Sequence, residues 1–363
     1  MNNNRARFFN RIWVPYALAL LVFAIAAAVA LSPTSYYMIR PGSAVELQPI
    51  VTVQGGKKAE KGTLMLTTVR MGPANVLGYL YAKADPHTDL IKAESVHSPN
   101  ETDEQYNVRE LEVMKHSQEN AMIVAFRKAG LPVKVTDKGV MVMLFTPGMP
   151  AEKYLQVGDI IETVDGKKTP APKDLLAALK GRKAGETVKL GIVRKGQRKE
   201  VSLKLSAIPR APGQKETRAG IGIMFSPSVP ATKRTVDLPK AVTIYAESIG
   251  GPSAGMMFTL EILNQVTGGD ITKGYRIAGT GEMFEDGTVG RIGGIEHKIQ
   301  AADKTKADIF LAPNDVVPPG AGYRSNYEEA QKAANELGTS MKVVPVRTID
   351  DAIRYLRSLP PKK

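Results

Sequence analysis

The chain opens on an unbroken apolar run from Ile12 to Leu31, with no charged residue inside it. Coiled at about 1.5 Å per residue, twenty such residues reach across a hydrocarbon layer of roughly 30 Å. Arg5, Arg7 and Arg11 precede the run, Trp13 and Tyr16 stand at its start, and Tyr36 and Tyr37 lie just past its end. Amphipathic rings favour the membrane–water boundary, and basic residues before a span hold that end in the cytoplasm. The pattern predicts a single-pass anchor in the cell membrane with everything after Ser32 extracytoplasmic. Ala28-Val29-Ala30 also satisfies a small-x-small cleavage pattern. The apolar run is longer than a usual signal core, so a retained anchor is expected.

Past the span the period changes. Val45-Glu46-Leu47 and Leu64 to Val69 alternate, broken by Gly42, Gly55-Gly56 and Gly62, which predicts a β-rich stalk with no visible chemistry. Val108 to Ala129 reads as a helix stopped by Leu131-Pro132. Val140 to Phe145 is expected to be a buried strand, followed by a Gly158-Asp159 turn and a short helix over Lys173–Lys180. An alternating hairpin, Val188/Leu190/Ile192 with Val201/Leu203/Leu205, turns at Lys195-Gly196. Strand Val242–Tyr245 then leads into Gly250-Gly251-Pro252-Ser253-Ala254-Gly255 and a helix from Ser253 to Val266, with Met256, Met257, Leu260 and Leu263 on one face.

Composition narrows the chemistry. With no cysteine, disulfides, thiolate metal sites and a cysteine nucleophile are excluded. His87, His97, His116 and His297 show no metal-ligand spacing, so no metal and no cofactor are expected. The net charge of +13 is scattered and accompanies no nucleic-acid motif, so it reads as a basic surface near lipid headgroups rather than a nucleic-acid site.

Ser253 lies where glycines permit a sharp turn and a helix begins, so free backbone amides can face a developing oxyanion. A plain N-cap would look the same in isolation. No histidine has a triad context, and His297 is expected to face solvent. A lysine can act as base if burial lowers its pKa, and Lys298, flanked by Ile295, Ile299 and Ala302, is the candidate. Glu282 reads as structural, because a carboxylate beside Lys298 would raise its pKa.

Three ordered strings accompany that serine: Gly-Pro-Ser-Ala-Gly at 251–255, Ala-Gly-Thr-Gly-Glu at 278–282, and Gly287-x-Val289-Gly290-x-Ile292-Gly293-Gly294-Ile295-x-x-Lys298. Together they resemble the proteolytic domain of Lon-type serine–lysine proteases, over about Val229 to Leu359. The resemblance implies Ser253 as nucleophile, Lys298 as base and Thr280 as the residue orienting the lysine. The amides of Ser253 and Ala254, at the helix start, are the expected oxyanion donors. Residues of about 120–225 resemble a bacterial protease-type PDZ domain. Its carboxylate-binding loop is missing upstream, and Gly220-Ile221-Gly222-Ile223 either supplies it in a rearranged order or opens the next domain.

The whole resembles the membrane-anchored YlbL/SepM-like proteases of Gram-positive bacteria. The expected fold is α+β and multidomain: tail and anchor 1–34, β-rich region 35–118, PDZ domain 119–226 and α/β Lon-type domain 227–363. No G-x-x-x-x-G-K-[ST] string occurs, so ATP-independent cleavage of peptides or unfolded protein is expected. A PDZ peptide-binding scaffold with an inactive protease domain is the alternative. Neither oligomeric state nor substrate identity is encoded legibly.

Overall fold

The computed structural model describes residues 3–58, 61–209, 218–226, 229–246 and 249–362; the side chains of 3–12, with the basic flank at Arg5, Arg7 and Arg11, lie outside the described residues. The chain divides into two compact units, residues 1–42 with 69–96, and residues 43–68 with 97–363.

In the first unit, helix α1 (Asn3–Leu31) contains the stretch Trp13–Leu31, with mean hydropathy 2.5 and none of it buried. A second helix, α2 (Val76–Ala84), is capped by Asn75, whose side chain accepts from the Gly78 amide. It packs on α1, and its first amide donates to the carbonyl of Ser32, the residue after α1 ends.

In the second unit, α3 (Asp103–Lys128) starts earlier than the apolar pattern suggests because Thr102 and Gln105 form a reciprocal capping box. The PDZ-like sheet follows, in the order 197–204, 187–194, 160–164, 134–141 and 232–237, all antiparallel. The hairpin turns at Lys195 and Gly196, both at positive φ, and pairs Val201 with Leu190. Helices α4 (Pro150–Tyr154) and α5 (Pro172–Leu179) help enclose a core that includes Val140, Leu155, Leu175 and Leu190. The expected strand over Val140–Phe145 is broken. Lys134–Met141 ends early, and the amide and carbonyl of Val142 leave the ladder to bond Asp159 and Gly158.

The remaining core is built on parallel strands in the order 342–346, 309–313, 276–279 and 63–68, with Ile277 opposite Ile309 on one side and Leu64 on the other. Helices α6 (Gly255–Thr267), α7 (Ile295–Lys304), α8 (Asn326–Leu337) and α9 (Ile349–Ser358) pack around it. Thr348 caps α9 by accepting from the Asp351 amide.

Two expectations are corrected. Residues 43–68 are no separate stalk: Leu47, Val51, Val53, Leu64 and Leu66 share one core with α6. Gln265 of α6 accepts from the Val53 amide and donates to the Val51 carbonyl, both at 2.9 Å, fixing that segment from within. Strand Thr232–Asp237, expected in the protease region, instead edges the PDZ-like sheet against Lys134–Met141.

Candidate active site

The turn before α6 is shaped by its glycines. Gly251 sits at φ +81°, a conformation that side chains resist. A Cβ on Gly255 would fall 2.5 Å from Ser117 Oγ and 2.8 Å from the Met283 nitrogen, so only glycine lets the turn press against α3 and strand Glu282–Met283. The helix proper begins at Gly255, two residues later than expected, leaving Ser253 on the turn. The Ser253 carbonyl accepts from the Gly281 amide at 2.8 Å and from Thr280 Oγ1 at 3.0 Å. Among the described residues, neither the Ser253 nor the Ala254 amide donates to a backbone acceptor.

Lys298 lies on the first turn of α7 and is 2% exposed. Its ammonium nitrogen stands 2.8 Å from Ser253 Oγ, 3.1 Å from Thr280 Oγ1 and 3.0 Å from the Thr67 carbonyl. Thr280 is fully buried and spends its proton on the Ser253 carbonyl, so its oxygen accepts from Lys298. None of the three partners is a carboxylate. Burial pulls the Lys298 pKa down to about 7, because desolvation disfavours the ammonium form.

The structure thus brings Ser253, Ala254, Thr280 and Lys298 together and adds Thr67, which the sequence reading missed. Thr67 contributes a main-chain carbonyl, and its hydroxyl donates to the Gly279 carbonyl at 3.2 Å. A backbone group has no residue signature, and only the pairing of Leu66 with Gly279 brings it near.

Glu282 lines a small pocket with His116, Ser117, Pro252 and Phe284, and desolvation raises its pKa to about 7. His116 in the same pocket is pulled down to about 4 by burial and by the Arg234 charge. His297 does not face solvent. It is 3% exposed, because α7 packs on α8 and buries more than one of its faces, Ala301 as well as Ile295, Ile299 and Ala302.

Gly220–Ile223 lies apart from these groups and belongs to the PDZ-like fold. Ala219–Gly220 pairs with Ser206–Ala207, Ile223–Met224 pairs with Leu144–Phe145, and Ile221 is buried in the PDZ-like core. The carbonyls of Ile221 and Gly222 accept from the Ala151 and Thr146 amides, each at 2.8 Å.

Fold and site define a multidomain α+β protein in which a serine on a helix-leading turn meets a buried amine. Residues 239–357 match the Lon protease (S16) C-terminal proteolytic domain family, and residues 128–205 match the PDZ domain family. The Lon protease of Neorickettsia sennetsu is 29% identical over 110 residues, 30% of this chain and 12% of that protein. A probable periplasmic serine endoprotease, DegP-like, of Ectopseudomonas mendocina is 30% identical over 128 residues, 32% of this chain and 27% of that protein. The PDZ domain of the SdrC-like protein from Listeria monocytogenes is 32% identical, covering 25% of this chain and 90% of that one at a TM-score of 0.22. The chain spans well under a third of either protease relative. The chain thus carries a PDZ domain followed by a Lon-type (S16) proteolytic domain.

Proposed function

We propose that the chain is an ATP-independent, membrane-anchored endopeptidase that cleaves extracytoplasmic peptides or flexible protein segments with a Ser253–Lys298 dyad. One observation carries the reading: the 2.8 Å contact between Ser253 Oγ and a lysine that burial keeps near neutrality without a carboxylate beside it. Neutral Lys298 takes the Ser253 proton as Oγ attacks the scissile carbonyl carbon, and the carbonyl electron pair moves onto oxygen. The Ser253 and Ala254 amides hold that oxyanion. Collapse breaks the C–N bond and Lys298 protonates the leaving amine. Water, deprotonated by Lys298, then attacks the acyl carbon, the C–Oγ bond breaks and Oγ takes the proton back from Lys298. The acyl group leaves as a carboxylic acid that ionises. Thr280 and the Thr67 carbonyl aim the amine at Ser253.

Membrane placement has a second support. Leu77, Leu80 and Tyr81 of α2 are exposed at i, i+3 and i+4, on a helix whose first amide is bonded to Ser32 at the end of α1. An apolar stripe at that depth suits the boundary between headgroups and acyl chains. The PDZ domain docks substrate tails, with Gly220–Ile223 receiving a terminal carboxylate.

The test is hydrolysis of an unfolded polypeptide by the full chain in lipid vesicles without nucleotide. Cleavage that disappears in Ser253→Ala is expected; cleavage that survives removes the assignment. Recovery of a soluble form beginning at Leu31 would replace the anchor with a cleaved signal.

A further inference from the structure

Helix α3, all but its last residue, lies outside the residues matched to either domain family, yet it grips the nucleophile turn at two points. The Glu110 carbonyl accepts from the Gly251 amide at 3.1 Å, and Ser117 Oγ donates to the Pro252 carbonyl at 2.8 Å. A serine inside a helix ordinarily turns its hydroxyl back to the carbonyl one turn earlier. Ser117, 2% exposed, sends its proton across to another element instead. Ala121 and Ala125, one and two turns on, are fully buried in the core shared with α6, and Gly255 has no Cβ to hold α3 off.

The bonded carbonyl matters because of its place in the chain. Pro252 C=O and Ser253 N–H belong to one peptide unit, and that unit is trans. In a trans unit the two groups point in opposite directions, so fixing one fixes the other. We infer that Ser117 is a positioning residue: by anchoring the Pro252 carbonyl it aims the Ser253 amide at the oxyanion. The inference rests on the proposed roles of Ser253 and its amide, and it deepens that reading by adding a residue from outside the matched protease domain. Its effect belongs to the transition state, since the amide is needed only when charge develops on the carbonyl oxygen.

The test is Ser117→Ala in the full chain reconstituted in vesicles, with thermal unfolding recorded alongside. Alanine is the better helix former, so the substitution leaves α3 intact. The expected kcat is about 10- to 100-fold lower, with KM within about twofold, as for a misaimed oxyanion donor. Affinity for a peptide boronic acid, whose tetrahedral adduct on Ser253 places an oxygen where the oxyanion forms, falls by a similar factor. Binding of uncleaved peptide to Ser253→Ala is the same with and without the second change. Ser117→Cys, a weaker donor on a longer bond, gives an intermediate kcat and keeps the question open to measurement if the alanine variant unfolds. A kcat within twofold of wild type, or a lowered kcat with full boronate affinity, overturns the inference. Cleavage persisting in Ser253→Ala would instead overturn the nucleophile assignment itself.

Discussion

Two buried cations in the second unit have opposite surroundings. Lys298 is met by a carbonyl and two hydroxyls. Arg234, 6% exposed on strand Thr232–Asp237, bonds Glu119 Oε2 at 2.7 Å, Glu285 Oε2 at 3.1 Å and Asn120 Oδ1 at 2.5 Å. Arginine keeps its charge wherever a protein survives, and carboxylates around it make a permanent brace. That brace ties the PDZ-like sheet to α3 and to the turn after Met283. A lysine given only neutral partners in a dry site becomes a group that can release and take a proton near pH 7. Burial is common to both; the charge of the partners decides between brace and base.

The largest effect comes from making the base resemble the brace. Lys298→Arg keeps a cation that cannot be deprotonated, and turnover is expected to fall about 10⁴-fold or more, the same loss expected for Ser253→Ala. Steady-state hydrolysis with a matched circular dichroism spectrum checks this, and near-normal turnover in Lys298→Arg would end the dyad assignment. The pH profile follows from the same contrast. With the Lys298 pKa at about 7, the active neutral form is lost as pH falls, so kcat/KM drops about tenfold per unit below 7 and levels above it. A flat profile between pH 5.5 and 8.5 would contradict a lysine base.

Breaking the brace acts on stability first. Arg234→Met removes the arginine from Glu119 and leaves Glu285 only its pair with Arg127, a loss expected at about 2 kcal/mol and read as a lower denaturant midpoint. Thr280→Val removes the acceptor at 3.1 Å from Lys298 and should slow kcat about tenfold, the equivalent of about 1.4 kcal/mol for one charge-assisted hydrogen bond. The smallest effect concerns the PDZ loop. Gly222 sits at φ +93° with Met149 Cβ only 2.1 Å from any added Cβ, so substitution there damages the loop itself. Amidating the substrate's C-terminus is cleaner, and a loss of about two- to fivefold in kcat/KM is expected from one removed anion contact. Equal cleavage of acid and amide would remove the carboxylate role from Gly220–Ile223.

Much of the site was legible because its side chains fall in short strings. Ser253, Thr280 and Lys298 lie within one stretch of the chain, and local glycine spacing marks the turns that carry them. The PDZ-like hairpin was equally legible, since a period-2 pattern around Lys195-Gly196 is local information. What stayed hidden was non-local. Leu64 to Thr68 reads as a strand, but nothing in those residues says that the strand pairs with Arg276–Gly279 rather than building a stalk. The partner of Thr232–Asp237 was invisible for the same reason. His297 was misplaced because one amphipathic face was assumed for a helix that packs on more than one side.

The pairing of residues 63–66 with 276–279 also sets an order on synthesis. The carbonyl that helps hold the Lys298 amine is made early, and the amine itself arrives 231 residues later. Between them come α3 and the whole PDZ-like sheet, whose contacts are mostly its own and can form sooner. A growing chain therefore carries no complete dyad while its first strand waits for a neighbour. With Ser253 and Lys298 acting as proposed, cutting power is withheld from the ribosome-bound polypeptide by topology.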